Sequence, residues 1–258
     1  MRMIGLITDF GHGDSFAGVV RAVIKAGSPG AELIDICHEV APFSIVNAQF
    51  MLYASIGYFP RGSVFFVVVD PGVGTGRGIL VAEDGRHFYV MPDNGIIGAV
   101  RSDALRVYSV DPGGFAGASS TFHGRDILAP CAVRLLNGAS PAELGTETGS
   151  YERQDFPRYA AGNGQLEGVV AHIDRFGNCI TSIPNACLEG AHARRFEVRV
   201  SGSALTCIRC STYGELLAGQ AGILEGSAGL VECALPRDSL ARQCSIGIED
   251  WIRICYEE

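Results

Sequence analysis

The stretch SVFFVVVDPGVGTGRG, residues 63–78, decides the fold. Residues 64–69 are all β-branched or aromatic, so the segment is apolar on both faces of a period-2 pattern. A central strand reads this way when helices cover both sides of its sheet. A loop follows with four glycines in residues 72–78, bracketed by Asp70 and Arg77. Glycine lets backbone approach a ligand closely. No Lys-Ser/Thr pair follows, so the loop is not a phosphate cradle of the P-loop kind. Open α/β sheets bind ligands outside the carboxyl ends of their strands, which makes this loop a candidate site. Arg77 can hold a carboxylate through two parallel hydrogen bonds. The same pair can equally be an ion pair that pins a Gly-rich loop.

Upstream, residues 3–8 read as a buried strand, 16–26 (FAGVVRAVIKA) as an amphipathic helix and 32–36 as a second strand. Residues 44–57 form a second helical pattern with Ser44 as its N-cap. Downstream, residues 78–82 and 87–91 read as strands around an Asp84-Gly85 hairpin turn, followed by a strand at 106–110 and a helix at about 125–136. This alternation predicts an α/β N-terminal domain with a largely parallel sheet, residues 1–155. Residues 151–164 (YERQDFPRYAAGNG) read as a linker. Beyond it, alternating segments such as 196–200 (FEVRV) predict a small antiparallel β domain, residues 165–258, built as a barrel or a sandwich.

Composition excludes several classes. The 258 residues are 47% hydrophobic and 19% charged, the balance of a packed protein. A net charge of −8 and the lack of a Lys/Arg-rich run argue against nucleic acid as a partner. No apolar run is long enough to span a bilayer, and the start, MRMIGLITD, is not a signal peptide, so a cytoplasmic location is expected and no membrane partner. The nine cysteines read as small buried hydrophobes of a reducing compartment. Cys207-Ile208-Arg209-Cys210 is the one CxxC, but no second ligand pair accompanies it.

Two further loops sit at predicted carboxyl ends. The first, TDFGHGDSF at residues 8–16, carries Asp9 and Asp14 between a strand and a helix; it lacks the third glycine of a dinucleotide fingerprint. Carboxylates there disfavour phosphate and suit a ribose diol or an ammonium group, although Asp14 can also serve as a helix cap. The second, TFHGRD at residues 121–126, puts His123 at a helix start, where it or Asp126 can be catalytic or merely a cap. The remaining histidines, 12, 38, 87, 172 and 192, lack paired ligand spacing, and no metal site is expected.

The segments TDFGxxDxF, VVDPGVGTxR, PDNG and TFHGRDIxAP, in this order, resemble the S-adenosyl-L-methionine hydroxide adenosyltransferase family, relatives of the S-adenosylmethionine fluorinases and chlorinases. The resemblance extends through IDRFGN at residues 173–178 and GSAG at 226–229 and covers nearly the whole chain. It implies an α/β N-terminal domain, a β-barrel C-terminal domain, a homotrimer with the site at the subunit interface, and no cofactor, S-adenosylmethionine being the substrate. It implies a water-handling triad at Asp70, Arg77 and His123. Asp9 matches a ribose ligand, Asp14 a ligand of the methionine amino group, and Phe43 an aromatic that packs on the substrate. Thr121 and Phe122 match residues flanking the ligand, Asp174 and Ser227 contacts to the methionine portion, and Asn178 a contact to the adenine. The chain departs from the family at Ala228, often a larger or charged residue, and at residues 234–239 (ALPRDS), where relatives often carry Asn-x-Gly.

The implied reaction is displacement at the ribose C5′ of a sulfonium. Neutral methionine is a good leaving group; water is a weak nucleophile and must lose a proton. An anionic Asp70 can take or orient that proton, with Arg77 stabilising developing hydroxide. Halogenating relatives attack with an anion, need no base, and carry a tyrosine in place of the Asp. Asp70 and His123 therefore favour hydrolysis over halogenation; the alternatives are a chloride-using halogenase, a non-catalytic protein that binds S-adenosylmethionine or adenosine, and a methyltransferase, each told apart by its product or lack of one.

Overall fold

The computed structural model describes residues 2–189, 191 and 193–256; His192 lies outside the described residues. The chain divides into two compact units, the first ending at Asp155 and the second beginning at Phe156.

The first unit contains β1 (Met3–Thr8), α1 (Phe16–Gly27), β2 (Glu32–Cys37), α2 (Ile45–Ile56), β3 (Val64–Val68), β4 (Ile79–Glu83), β5 (Phe88–Pro92), β6 (Arg106–Val110), α3 (Ala129–Leu136) and β7 (Thr146–Glu147). They build a seven-stranded sheet in the order β2-β1-β3-β5-β4-β6-β7. The four strands β2, β1, β3 and β5 are parallel, as expected. β4, β6 and β7 join antiparallel, and for β4 and β5 a tight turn sets the direction. The β4–β5 turn shows how. Gly85 takes a positive φ of 78°, and the Asp84 carboxylate accepts the amides of Arg86 and His87 at 2.8 and 2.6 Å. A reversal this short leaves the second strand no option but antiparallel pairing.

Every residue of β3 is buried. Val64, Phe66 and Val68 join one apolar cluster with Val20 and Ile24 of α1 and Cys131 and Leu135 of α3. α2 contributes nothing to that cluster and packs on β1, β2 and β3. Ser44 caps α2, its hydroxyl accepting the Asn47 amide at 3.2 Å, a bond worth about 1 kcal/mol.

The second unit contains β8 (Ala160–Gly162), β9 (Gln165–Ile173), β10 (Cys179–Pro184), α4 (Ala186–Glu189), β11 (Arg195–Val200), β12 (Ser203–Arg209), β13 (Gly222–Glu225), β14 (Leu230–Ala234), α5 (Leu240–Gln243) and β15 (Trp251–Cys255). The order β10-β14-β13-β12-β11-β15-β9 closes on itself through a β9–β10 pairing, making a seven-stranded barrel with β8 as an added strand on β9. This resolves barrel against sandwich. β9 makes closure possible: residues 165–169 pair with β15 and residues 170–173 with β10. Gly168 sits where the strand changes partner; a Cβ there would lie 2.8 Å from both Ile183 and Ser182. β11 alternates as expected, with Phe196, Val198 and Val200 facing the interior. Cys207 points into that interior while Cys210 joins a separate cluster with Leu216 and Leu224. All nine cysteines are free thiols.

Candidate functional site

Asp70 lies two residues beyond the end of β3, and the glycine loop folds back to bring Arg77 onto it. Arg77 Nη2 donates to Asp70 Oδ2, and the Gly72 amide donates to Asp70 Oδ1 at 3.1 Å. Arg77 Nη1 donates to the Gly78 carbonyl. The side chains are 9% and 8% exposed, so the pair is shielded from water. Thr75 tightens the curl, its hydroxyl donating to the Gly72 carbonyl at 2.7 Å. Gly74 has φ +78°, and a Cβ there would stand 2.7 Å from the Ser120 carbonyl oxygen. Only glycine lets this loop lie against the segment that carries His123.

Burial raises the Asp70 carboxyl above the ordinary carboxylate range. The Arg77 guanidinium, the Gly72 amide and His123 all pull the other way. The result is a carboxylate more basic than one in water. His123 Nδ1 and Arg77 Nε are buried without a hydrogen-bond partner. Buried polar atoms are nearly always paired, so two unmet nitrogens next to a basic carboxylate mark a place built for something polar.

His123 opens a π-helical turn, Gly124–Leu128, that runs into α3. Pro130, near the start of α3, supplies no N–H, and its ring crowds the carbonyl four residues back, which favours the wider turn. Phe122 packs edge-on against Phe16 and Phe10, with centroids 5.1 and 5.9 Å away, and Arg125 lies over its ring at 5.0 Å. Thr121 is exposed, its hydroxyl 3.1 Å from that of Ser119.

The loop after β1 meets the same region. Asp9 Oδ2 accepts the Phe43 amide at 3.0 Å. Burial raises the Asp9 carboxyl, the Phe43 amide lowers it, and the charge of Asp70 raises it further. Asp9 and Asp70 thus share one electrostatic neighbourhood. Phe43 has φ +66° and is 66% exposed. A bulky residue in the left-handed region is strained, and such strain gathers at functional sites. Asp14 is exposed; Ser15 occupies the N-cap position of α1, so Asp14 is not spent on capping.

Two residues of this unit had no assigned role in the sequence. Asn94 Nδ2 donates to the Val69 carbonyl at 2.8 Å, fixing the peptide that enters Asp70, and Asn94 Oδ1 is buried without a partner. Asp93, raised by burial, accepts the Glu152 amide at 2.8 Å and lies within electrostatic reach of Arg77. The tetrad PDNG was the available signal.

In the second unit, Asp174 Oδ1 accepts the amides of Phe176 and Asn178, and Oδ2 accepts Asn178 Nδ2, all at 2.9 Å. Asn178 borders a cleft of about 550 Å³ lined also by Phe176, Tyr213, Pro236, Arg237 and Ser239. The departing segment at 234–239 therefore forms one wall of it. Ser227 stands on an exposed turn between β13 and β14. Glu232, hidden in the apolar run of β14, accepts the Tyr213 hydroxyl at 2.5 Å. Burial raises its carboxyl, and the charge of Asp174 adds to the rise.

Residues 4–145 match the family described as SAM hydroxide adenosyltransferase N-terminal domain, and residues 168–253 the corresponding C-terminal domain. A protein named (R)-S-adenosyl-L-methionine hydrolase from Thermus thermophilus is 36% identical, covering 97% of this chain and 97% of its own. One of the same name from Salinispora arenicola is 31% identical over the same shares. A crystal structure of an uncharacterized conserved protein from Thermotoga maritima superposes with a TM-score of 0.89 at 34% identity, covering 98% of this chain and 100% of that one.

Proposed function

The chain belongs to the SAM hydroxide adenosyltransferase family, and on that premise we propose that it hydrolyses S-adenosyl-L-methionine to adenosine and L-methionine. The observation that carries the reading is the shielded Asp70–Arg77 pair beside a His123 ring with an unmet buried nitrogen. Water forms a bond to the ribose C5′ as the C5′–S bond breaks; the pair of electrons leaves with sulfur, giving neutral methionine, and one proton is released. Asp70, more basic than an ordinary carboxylate, accepts that proton. Arg77 keeps its charge throughout and stabilises the developing hydroxide. His123 Nδ1 and Arg77 Nε complete the hydrogen bonds of the attacking water. Alignment of water, C5′ and sulfur supplies much of the acceleration.

Asp9 takes the ribose hydroxyls and Asp14 the methionine ammonium, which suits two acceptor-only groups on one loop. Phe43 packs on the substrate, and Thr121 and Phe122 flank it. Asp174 and Ser227 serve the methionine portion and Asn178 the adenine. The working form is a homotrimer with its sites at subunit interfaces. Nine free thiols suit a reducing, cytoplasmic location. The reaction as written needs no cofactor, S-adenosylmethionine being the substrate.

Incubation with S-adenosylmethionine in ¹⁸O-water tests the reaction. Label in the 5′-hydroxyl of adenosine is expected. S-adenosylhomocysteine, a 5′-halogenated nucleoside, or binding with no turnover would each overturn it. Running the two sulfonium epimers separately tests whether the R preference in the relatives' names extends to this chain.

A further inference from the structure

A continuous polar chain lies behind the Asp9 loop. Arg21 is ion-paired with Asp35. Asp35 Oδ1 is 3.1 Å from His38 Nε2, and His38 Nδ1 is 2.7 Å from the Thr8 hydroxyl. The Phe10 amide donates to that same hydroxyl at 3.4 Å. His38 is 4% exposed and Thr8 1% exposed, so neither meets substrate.

The donors and acceptors fit in one direction only. An ionised carboxylate only accepts, so His38 Nε2 carries a hydrogen and gives it to Asp35. The Thr8 oxygen accepts from Phe10 and gives its own hydrogen to His38 Nδ1, which must then be bare. The order is Phe10 N–H to Thr8, Thr8 O–H to His38, His38 N–H to Asp35, and every member is satisfied with a neutral ring. A second proton on His38 would reverse the middle bond. Nδ1–H would then join the Phe10 amide on the two lone pairs of the Thr8 oxygen, and the buried Thr8 hydrogen would lose its acceptor. The main chain ties the same parts together: the His38 carbonyl accepts the Gly11 amide at 2.7 Å, and the Thr8 carbonyl accepts the Val40 amide at 3.3 Å.

We infer that His38 is a positioning residue, its neutral Nε2–H imidazole fixing the peptide that follows Asp9 and so the aim of the Asp9 carboxylate. This rests on the ribose-binding reading of Asp9. The groups facing the ring agree with a neutral form. Burial, the His12 ring at 5.6 Å and the charge of Arg21 lower its proton affinity, and Glu39 opposes them, with Asp35 on the far nitrogen.

The test compares wild type with His38→Phe, His38→Asn and Thr8→Val. His38→Phe and Thr8→Val are expected to raise KM for S-adenosylmethionine and the Kd of adenosine about tenfold, with kcat changed less than about threefold, the pattern of lost uniform binding. His38→Asn, which keeps an acceptor near Nδ1, is expected to recover much of the loss. The His38→Phe/Thr8→Val double variant should be no worse than either single one, since both remove the same bond. Nitrogen–proton correlation spectra of wild-type protein should show His38 neutral with Nε2 protonated at pH 7, and the Phe10 amide shifted in both variants. An unchanged KM and Kd, a loss confined to kcat, or a His38 ring found charged or protonated at Nδ1 would overturn the inference. Failure of wild type to turn over the substrate would instead sink the functional reading, and the ring's tautomer and its coupling to Phe10 would still decide this one.

Discussion

Asp70 has the strongest pull on the chemistry. Replacing it with Ala is expected to remove most turnover while leaving substrate affinity within about tenfold of wild type, as for a contact made chiefly in the transition state; equal loss of binding would deny it that role. Its protonation also sets a pH limb. Burial raises the Asp70 carboxyl, so kcat/KM should fall with decreasing pH at a midpoint above the ordinary aspartate range near 3.9. Arg77 holds that midpoint down. Arg77→Gln should move the limb to higher pH as well as slow the reaction; a limb that stays in place or moves lower would contradict the pairing. At this scale the sequence singled out Asp70, Arg77 and Asp9 by position after a strand and His123 by its place at a helix start, and the fold brings Arg77, His123 and Asp9 within electrostatic reach of Asp70. It was silent on Asn94, whose bond to Val69 joins residues brought together only by the sheet. It was silent on Glu232 because a lone acid in an apolar strand reads as an outward-facing residue, whereas the chain buries it under Tyr213.

Two loops carry the strain that shapes the site. Phe43 adopts a left-handed conformation that costs a non-glycine residue about 1–3 kcal/mol. Phe43→Gly should relieve that strain, so any loss of stability in urea unfolding stays small or becomes a gain, while KM rises because the exposed ring is gone. A large loss of stability with an unchanged KM would show that the ring serves the fold instead. Gly74→Ala should do the reverse. Its positive φ and the Ser120 carbonyl 2.7 Å from the new methyl leave no room, and a cost of about 1–2 kcal/mol in backbone strain alone is expected, with turnover reduced as the Asp70 loop shifts from the His123 segment. Strand and helix positions in the first unit followed from periodicity because burial there is one-sided or complete. The β4–β5 reversal was legible in the Asp84-Gly85 turn signal, but the joining of β6 and β7 and the π-helical turn at Gly124–Leu128 were not, since hydrophobic spacing encodes neither strand partners nor the register of helix hydrogen bonds.

Whole-molecule stability should carry the mark of histidines held neutral. His87 is 1% exposed with neither ring nitrogen paired, and burial lowers its proton affinity, as it does for His38. An unfolded histidine takes up its proton near pH 6.5. The contribution of each neutral ring is therefore complete above that value and drains away as pH falls below it. The difference in melting temperature between wild type and His87→Phe should turn against wild type as pH drops from about 7.5 to 5.5; a constant difference would show that His87 does not titrate on unfolding. Barrel closure was the feature least accessible to local reading. Barrel and sandwich share the same alternation, and the choice between them rests on β9 serving two partners, a pairing between distant parts of the chain.

That shared strand has a consequence for life in a crowded cell. A sheet that ends in bare amides and carbonyls is an invitation to foreign strands and to fibril growth. Because β9 passes from one neighbour to the next and seals the ring, only the three-residue β8 is left as a margin of the second unit's sheet, too short to template another chain. Native protein held below its melting transition should accordingly stay silent to amyloid dyes, whereas a Gly168→Val variant, whose side chain wedges the ring open, should seed them.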